Sequence, residues 1–155
     1  MAALVDGDLA AASAVAGVEL TDYFTSDGCT WLWRLRLAQM ASDPTSRRWV
    51  ARAVVDAESG AVVGHAGFHG PPDASGMVEV GYSVDPRHRR RGYARALLAE
   101  LLHRAGEEPG VTTVRATVGP DNVASLATLA GSGFVQVGEQ QDEVDGLELV
   151  FERPA

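Results

Sequence analysis

The alternation of apolar and polar residues divides the chain into a helical first third and a sheet-forming remainder. Asp6 or Asp8 can cap a helix that ends near residue 16, and the pattern over residues 30–40 predicts a second helix, which the Asp-Pro pair at 43–44 would stop. Apolar runs rich in valine and bounded by turn residues predict six strands, at residues 49–56, 61–69, 77–84, 111–118, 133–139 and 146–152.

The most regular helical pattern follows the third predicted strand. Its apolar stripe consists of Ala94, Leu97, Leu98, Leu101, Leu102 and Ala105. Asp121 or Asn122 can cap a further short helix that ends near Gly131. Helices before and between the strands predict an α/β fold in which one mixed sheet of about six strands carries about four helices. We interpret residues 1–155 as one domain, with a helical region at 1–48 and the sheet at 49–152.

Composition narrows the classes of protein that the chain can represent. It has 155 residues, of which 46% are hydrophobic and 22% charged, as in a soluble globular domain. The chain has 13 basic residues, all of them arginine, and 21 acidic ones, so the net charge is −8. This balance argues against nucleic acid or an anionic membrane as a partner. It suits a cationic partner, although acidity also serves solubility.

The cysteine and histidine content argues against two further classes, disulfide-linked secreted proteins and metal-binding proteins. Cys29 has no second cysteine to pair with, which favours a reduced, cytoplasmic location. The four histidines lack the spacing of metal ligands, so we expect no metal site. The uncharged run at residues 9–18 is too short to span a membrane.

The loop between the third strand and the regular helix carries an unusual charge. Five of the thirteen arginines lie within nine residues, at 87, 89, 90, 91 and 95, with no acid among them. A solvated arginine run is one explanation. However, each positive charge at a helix N-terminus costs about 0.3–1 kcal/mol, so an anion that completes the site explains the run better. Gly92 and Ala94 would let that anion approach the backbone, and we interpret the loop as a diphosphate-binding site.

At these residues the chain resembles the GNAT superfamily of acyl-CoA-dependent N-acetyltransferases. The family's Arg/Gln-x-x-Gly-x-Gly/Ala signature reads Arg89-Arg90-Arg91-Gly92-Tyr93-Ala94 here, after Val84-Asp85-Pro86. Asn122 and Ser125, followed by Gly133-Phe134, resemble a second family segment. The strand at 79–82 is similar to that of the branch containing ribosomal-protein N-terminal acetyltransferases. The resemblance covers residues 49–152.

The resemblance implies that acetyl-CoA is the cosubstrate and that acetyl transfer to a primary amine is direct, in a ternary complex. The pantetheine arm would lie between strands 77–84 and 111–118, which splay apart in the family. The implied cofactor contacts are Tyr82, Ser83 and Val84 for pantetheine, the N–H groups of Arg89, Arg90, Arg91, Gly92, Tyr93 and Ala94 for pyrophosphate, and Asn122 and Ser125 near the arm or the thiol. Asn122 can equally serve only as a helix cap.

Glu79 is the first candidate for the base that deprotonates the amine. It alternates with apolar residues along its strand and would face an open cleft. If a hairpin turn follows Gly70 and places Glu79 opposite Gly67, then His65 and His69 flank the carboxylate, and His69 would assist it. A carboxylate that merely faces solvent is the alternative.

The chain departs from the family pattern in three places. Leu129 stands where many members have a tyrosine that protonates the leaving thiolate, so Ser125 or water would be the acid. Thr117 stands where some members have a glutamate base. We also expect the family's usual first strand to be missing.

The acceptor remains the most open question. Tyr23, Phe24, Trp31 and Trp33 are candidates for an apolar acceptor wall, although some of them can belong to the core. A peptide N-terminus, an amino acid, a polyamine or an antibiotic amine would fit. The rival hypotheses are a non-catalytic CoA-binding sensor and transfer of a larger acyl group such as succinyl. A homodimer is left open.

Overall fold

The computed structural model describes all 155 residues as five α-helices, three short 3₁₀ segments and one six-stranded sheet. The helices are α1 (Ala2–Val5), α2 (Leu9–Ala16), α3 (Asp27–Ser42), α4 (Tyr93–Glu107) and α5 (Val123–Leu129). The strands are β1 (Arg52–Val55), β2 (Val62–Phe68), β3 (Met77–Val84), β4 (Thr113–Val118), β5 (Val135–Asp142) and β6 (Gly146–Pro154). The 3₁₀ segments are Asp22–Thr25, Pro44–Arg48 and Pro86–His88.

The α/β class and the six strands confirm the prediction, and the helices number one more than expected. The additional helix is α1, a single turn whose Leu4 is buried. Local capping chemistry sets two helix starts. Asp8 Oδ1 accepts a hydrogen bond from Ala11 N at 2.9 Å, and Asn122 Oδ1 accepts one from Ser125 N at 3.1 Å. The two edges of the sheet are β1 and β5.

The sheet changes from antiparallel to parallel pairing at its centre. Its strand order is β1-β2-β3-β4-β6-β5, and only β3 and β4 run parallel. These two strands pair over just three residues, from Met77–Thr113 to Glu79–Arg115. Beyond Glu79 they no longer pair, so a cleft opens between their carboxyl-terminal halves.

Each face of the sheet has its own apolar core. On one face, Leu97, Leu98 and Leu101 of α4 pack against β2 and β3, in a cluster that also includes Val114 and Ala116 of β4. On the other face, α1, α2 and α3 enclose a smaller cluster that includes Phe24 and Trp33. Side chains at alternate positions of β3 therefore point either toward α4 or toward α3.

The pairing of β2 with β3 differs by two residues from the predicted register. Gly67 lies opposite Gly81 rather than Glu79, and His65 lies opposite Ser83. The turn itself lies after Gly70, as predicted, and the physical reason for the shift is the position of its tip. Asp73 Oδ1 accepts hydrogen bonds from the N–H groups of Ser75 and Met77 at 2.8 and 3.0 Å, which fixes the tip at residues 73–76. A two-residue shift keeps every side chain on its predicted face but changes its neighbours.

Candidate active site

Glu79 lies where β3 and β4 begin to separate, and its carboxylate contacts both neighbouring strands. Its Oε1 atom accepts a hydrogen bond from Thr117 Oγ1 on β4 at 2.6 Å. The same oxygen lies 3.3 Å from His69 Nδ1 at the end of β2. Its Oε2 atom accepts no hydrogen bond from the protein, and 19% of the side chain is exposed. One carboxylate oxygen is therefore held in place and the other is available to a substrate.

His69 is the histidine that the structure brings to Glu79. Its backbone N–H donates to Glu79 O at 2.8 Å, and its carbonyl accepts from Arg36 Nη1 and Gln39 Nε2 at 3.0 and 2.6 Å. Desolvation lowers the pKa of His69, Glu79 raises it, and the buried Arg36 guanidinium lowers it further. The net direction is downward, so the imidazole is neutral at neutral pH and can accept a proton.

Gly81 makes room for the His69 ring. A Cβ atom at this position would lie 2.9 Å from His69 Nε2. Any larger residue would force the imidazole to shift from its position beside Glu79, since such a distance is shorter than a normal carbon–nitrogen contact. The spacing of glutamate and glycine on β3 is thus part of the site.

His65 does not flank Glu79, which corrects the sequence-based expectation. The two-residue register shift places it opposite Ser83, and only 7% of the residue is exposed. Its Nε2 atom lies 3.3 Å from Tyr23 Oη and 3.7 Å from Cys29 Sγ. Burial, together with the charge of Arg36, lowers the pKa of His65 to about 4. His65 is therefore a neutral core residue beneath the cleft.

The four aromatic residues predicted for the acceptor wall separate into two groups. Phe24 and Trp33 are each 1% exposed and stack with a centroid distance of 5.9 Å, so they belong to the core. Trp31 is 48% exposed on α3. Tyr23 Oη donates to Ser83 Oγ at 2.6 Å, and burial raises the pKa of Tyr23 to about 12. Only Trp31 offers an open aromatic surface.

A cavity of about 800 Å³ lies beside the carboxyl-terminal half of β3. Its walls include every predicted cofactor-binding residue except Arg91, namely Tyr82, Ser83, Val84, Arg89, Arg90, Gly92, Tyr93, Ala94, Asn122 and Ser125. His88, Arg95 and three residues of α5 complete the lining. The strand end, the arginine loop and the start of α5 therefore meet around one space.

The loop before α4 presents a row of unpaired backbone donors. The N–H groups of residues 90–94 donate to no acceptor in the protein, whereas those of His88 and Arg89 donate to Asp85 O and Pro86 O. Arg90 and Gly92 adopt left-handed conformations, with φ of 61° and 87°, and such residues curl successive N–H groups around one point. The backbone donors thus number five and exclude Arg89, which corrects the predicted set.

The arginines of this loop do not all contribute free positive charge. Arg87 Nη2 bonds Asp22 Oδ1 at 2.7 Å and Asp85 Oδ2 at 3.1 Å. Asp85 is 1% exposed, and although burial raises its pKa, hydrogen bonds from Arg87 and Thr21 lower it to about 2. Arg87 is therefore neutralised by acids that come from outside the run.

Asn122 and Ser125 stand at the start of α5, where the cavity meets the helix. Asn122 caps the helix, so its amide oxygen is used, and Ser125 Oγ makes no hydrogen bond within the protein. Leu129 is 3% exposed and packs in the core near α4. The cavity thus has a free hydroxyl at Ser125, and the side chain at position 129 is an apolar core residue.

Sequence reasoning misses three contributors to this site, namely Thr117, Arg36 and Gln39. The family pattern marks Thr117 only as a departure, yet its hydroxyl donates to the Glu79 carboxylate. Arg36 and Gln39 were not singled out, although both bind the His69 carbonyl. An arginine inside an otherwise mixed helix gives no local signal, because its partner lies 33 residues away.

A family model described as the acetyltransferase (GNAT) family matches residues 14–134. The chain belongs to this family. Among curated relatives, the uncharacterized N-acetyltransferase YjdG of Bacillus subtilis (strain 168) is 34% identical over 82 residues, which are 53% of this chain and 49% of that protein. The chain thus spans about half the length of this relative.

Solved structures of GNAT proteins share the fold at low sequence identity. The ribosomal-protein-S5-alanine acetyltransferase of Vibrio fischeri has a TM-score of 0.64 and 19% identity, over 88% of this chain and 76% of that one. The phosphinothricin acetyltransferase of Sinorhizobium meliloti, solved with AcCoA, has a TM-score of 0.62 and 20% identity, over 99% and 84%. These likenesses support the fold.

A second depression, of about 670 Å³, is lined by arginines and prolines that include Arg47, Arg52 and Pro71, and it contains none of the predicted site residues. No three His, Cys, Asp or Glu side chains lie close enough together to hold a metal ion. None of the helices has the length and apolar character that crossing a membrane requires.

Proposed function

We propose that the protein transfers an acetyl group from acetyl-CoA to a primary amine, by direct attack in a ternary complex. The observation that carries this proposal is the row of five unpaired N–H groups at residues 90–94, at the wall of a cavity that follows the separation of β3 and β4. Backbone donors at the start of a helix suit a pyrophosphate, and an open strand end suits an amide-containing arm.

The residues present fit CoA along the length of the cavity. The N–H groups of 90–94, with the side chains of Arg89 and Arg90, would hold the pyrophosphate. Tyr82, Ser83 and Val84 would contact the pantetheine arm, since their strand has lost its pairing with β4. Ser125 would lie near the thiol.

Glu79 and His69 would handle the proton of the amine. An alkylammonium with a pKa near 10 is mostly protonated at neutral pH and must lose a proton before it can attack. The amine nitrogen then bonds the thioester carbonyl carbon, the carbon–sulfur bond breaks, and the sulfur leaves as a thiolate. Glu79 Oε2 accepts the amine proton while His69 and Thr117 hold Oε1, and the hydroxyl of Ser125 or a water protonates the thiolate.

The acceptor would be an amine with an apolar body or a peptide N-terminus. Trp31 supplies the exposed aromatic surface on the acceptor side, and the net charge of −8 suits a cationic substrate. Two structural neighbours are named as acetyltransferases of a ribosomal-protein alanine and of phosphinothricin, so the fold serves both protein and small-molecule acceptors. We place the reaction in the cytoplasm, in keeping with the single cysteine.

A CoA-binding sensor without turnover is the second candidate. It is favoured by the apolar Leu129 in the core, which leaves the thiolate without a tyrosine hydroxyl. A thermal-shift titration with acetyl-CoA tests what both candidates share, because a ligand at 100 times its Kd adds roughly 2.7 kcal/mol of stability. No shift at millimolar acetyl-CoA would exclude both.

We expect Thr117→Val to lower kcat roughly fivefold. The substitution keeps the shape of the side chain but removes the hydrogen bond that orients Glu79, a loss of about 1 kcal/mol. Steady-state kinetics with the best amine of a panel would measure it, with Thr113→Val on the same strand as the control. An unchanged kcat would show that Glu79 needs no such support.

We expect Gly92→Ala to raise the Kd of acetyl-CoA roughly tenfold. Gly92 has a φ of 87° with nothing near its Cβ position, so the added methyl costs only the left-handed backbone strain of about 1–2 kcal/mol. Relief of that strain turns the N–H groups away from the cavity. Gly17→Ala is the matched control, since Gly17 has a φ of 71° and an equally open surround, far from the loop. Calorimetric titration would measure both, and equal affinities would contradict the assignment.

A further inference from the structure

Three successive residues outside the cavity each bond a residue at the end of β3 or in the turn after it. Thr21 Oγ1 donates to Asp85 Oδ2 at 2.7 Å. Asp22 Oδ1 accepts from Arg87 Nη2 at 2.7 Å, and Tyr23 Oη donates to Ser83 Oγ at 2.6 Å. We call residues 21–23 the strap. None of them lines the cavity.

The strap reaches the cavity through residues that shape it. Ser83 is itself a wall residue. Asp85 organises the turn that leads into the loop, because its Oδ1 accepts from Arg87 N at 3.0 Å and its carbonyl accepts from His88 N at 2.8 Å. Asp85 is 1% exposed, and a buried carboxylate needs its hydrogen-bond donors in place. The position of the unpaired N–H groups therefore depends on Thr21.

The strap is also fixed to the helix that carries Trp31. Trp33 Nε1 of α3 donates to Phe24 O at 2.8 Å, and the Trp33 and Phe24 rings stack. Phe24 directly follows the strap. Packed and hydrogen-bonded residues thus connect α3, on the acceptor side of the sheet, to the loop at residues 87–94.

We infer that Thr21, Asp22 and Tyr23 are positioning residues for the cofactor cavity, which couple its occupancy to the order of residues 21–25. The inference rests on the proposed function, since it takes acetyl-CoA as the occupant. Filling the cavity holds Ser83 and the 85–88 turn in place, and their bonds then hold the strap. By linkage, loosening the strap weakens acetyl-CoA binding.

Hydrogen–deuterium exchange with and without acetyl-CoA tests this coupling at a place that the ligand does not touch. In the unmodified protein we expect saturating acetyl-CoA to slow exchange in peptides covering residues 20–26 roughly fivefold or more. In Thr21→Val and in Tyr23→Phe we expect that protection to disappear and the KM for acetyl-CoA to rise about fivefold, with kcat changed less than twofold. Thr21→Ser keeps the hydroxyl and should restore both values.

Asp27→Asn is the matched control for Asp22→Asn. Both remove one carboxylate, but Asp27 makes no side-chain bond to the β3 end. Asp22 is 84% exposed, so we expect a smaller rise in KM than from the other two positions, and a rise that added salt abolishes.

The possible outcomes separate the two hypotheses. If the unmodified protein fails to bind acetyl-CoA, the proposed function and this inference both fall. If it binds acetyl-CoA but residues 20–26 exchange at the same rate, or if Thr21→Val and Tyr23→Phe keep the parental KM, only the inference is overturned. A variant in which poor folding raises KM and lowers kcat together is recognised by its melting temperature, and Thr21→Ser then decides.

Discussion

Replacing Glu79 by glutamine should lower kcat at pH 7.5 about 100-fold or more while leaving the Kd of acetyl-CoA unchanged. General-base catalysis by a positioned side chain contributes roughly 10²–10⁴-fold. Glutamine preserves the size of the side chain and can still accept the Thr117 hydroxyl through its amide oxygen. It cannot take up a proton, so the variant depends on the small fraction of amine that is already neutral.

The pH dependence adds a second signature to this variant. Because the neutral fraction of an alkylamine rises tenfold per pH unit below its pKa, the activity of Glu79→Gln should climb steadily from pH 6 to 9. Glu139→Gln, on the exposed strand β5, is the control and should keep parental activity. Full turnover by Glu79→Gln across this pH range would assign proton removal to another group or to water.

The free energy of unfolding should fall by roughly 3 kcal/mol between pH 6.5 and pH 4 because of His65 alone. The pKa of His65 is about 4 in the folded protein against 6.5 in an unfolded chain. Over that pH window His65 binds a proton in the unfolded chain but not in the folded protein. The contribution of His65 to the free energy of unfolding is therefore fully present above pH 6.5 and decreases as the pH falls toward 4. A difference of one unit between the folded and unfolded pKa values corresponds to about 1.4 kcal/mol in the free energy of unfolding.

Urea unfolding at a series of pH values would measure this slope. His65→Gln has no titrating group at this position, so its stability is expected to be lower at pH 7.5 and to fall less steeply than that of the parent down to pH 4.5, with His69, whose pKa burial also lowers, accounting for part of the remaining slope. His103→Gln removes an exposed histidine of α4 and should keep the parental slope. A His65→Gln protein with the same slope as the parent would mean that His65 charges freely in the fold. Asp85 contributes only below about pH 4, since its pKa is lowered to about 2.

The sequence determined the elements that depend on local chemistry. The helix caps, the apolar stripe of α4 and the strand positions are all encoded within a few residues. The structure has the stripe and the strands close to their predicted positions, and it selects Asp8 over Asp6 and Asn122 over Asp121 as caps. The arginine loop could also be recognised from neighbouring residues, because a strand end, a glycine and a helix start adjoin in the chain. Most of the residues that line the cavity could therefore be named from the sequence.

The remaining features depend on contacts between distant segments. The register of β2 against β3 was wrong by two residues, since Asp73 closes the turn through side-chain bonds that the apolar pattern does not encode. That shift removed His65 from the site and left His69 with Glu79. The bond from Thr117 to Glu79 spans 38 positions, and the ion pair of Arg87 with Asp22 spans 65. The spacing of neighbouring residues along the sequence indicates neither contact.

The burial of aromatic residues was similarly beyond local reasoning. Phe24 and Trp33 share a segment with Trp31, and all three are apolar, so the sequence could offer them together as an acceptor wall. Which face of α3 meets the sheet is decided by packing against Ala51 and Val62 from elsewhere in the chain. Only Trp31 was left on the outside.

Release of CoA from acetyl-CoA, followed with a thiol reagent across a panel of primary amines, tests the central claim most directly. The panel would contain a peptide with an N-terminal alanine, free amino acids, a polyamine and an aminoglycoside, each against an amine-free blank. The account predicts that at least one amine drives CoA release above the blank and that its N-acetyl derivative forms in equal amount. Tight acetyl-CoA binding with no amine-dependent release would contradict catalysis and identify the protein as a CoA-binding sensor.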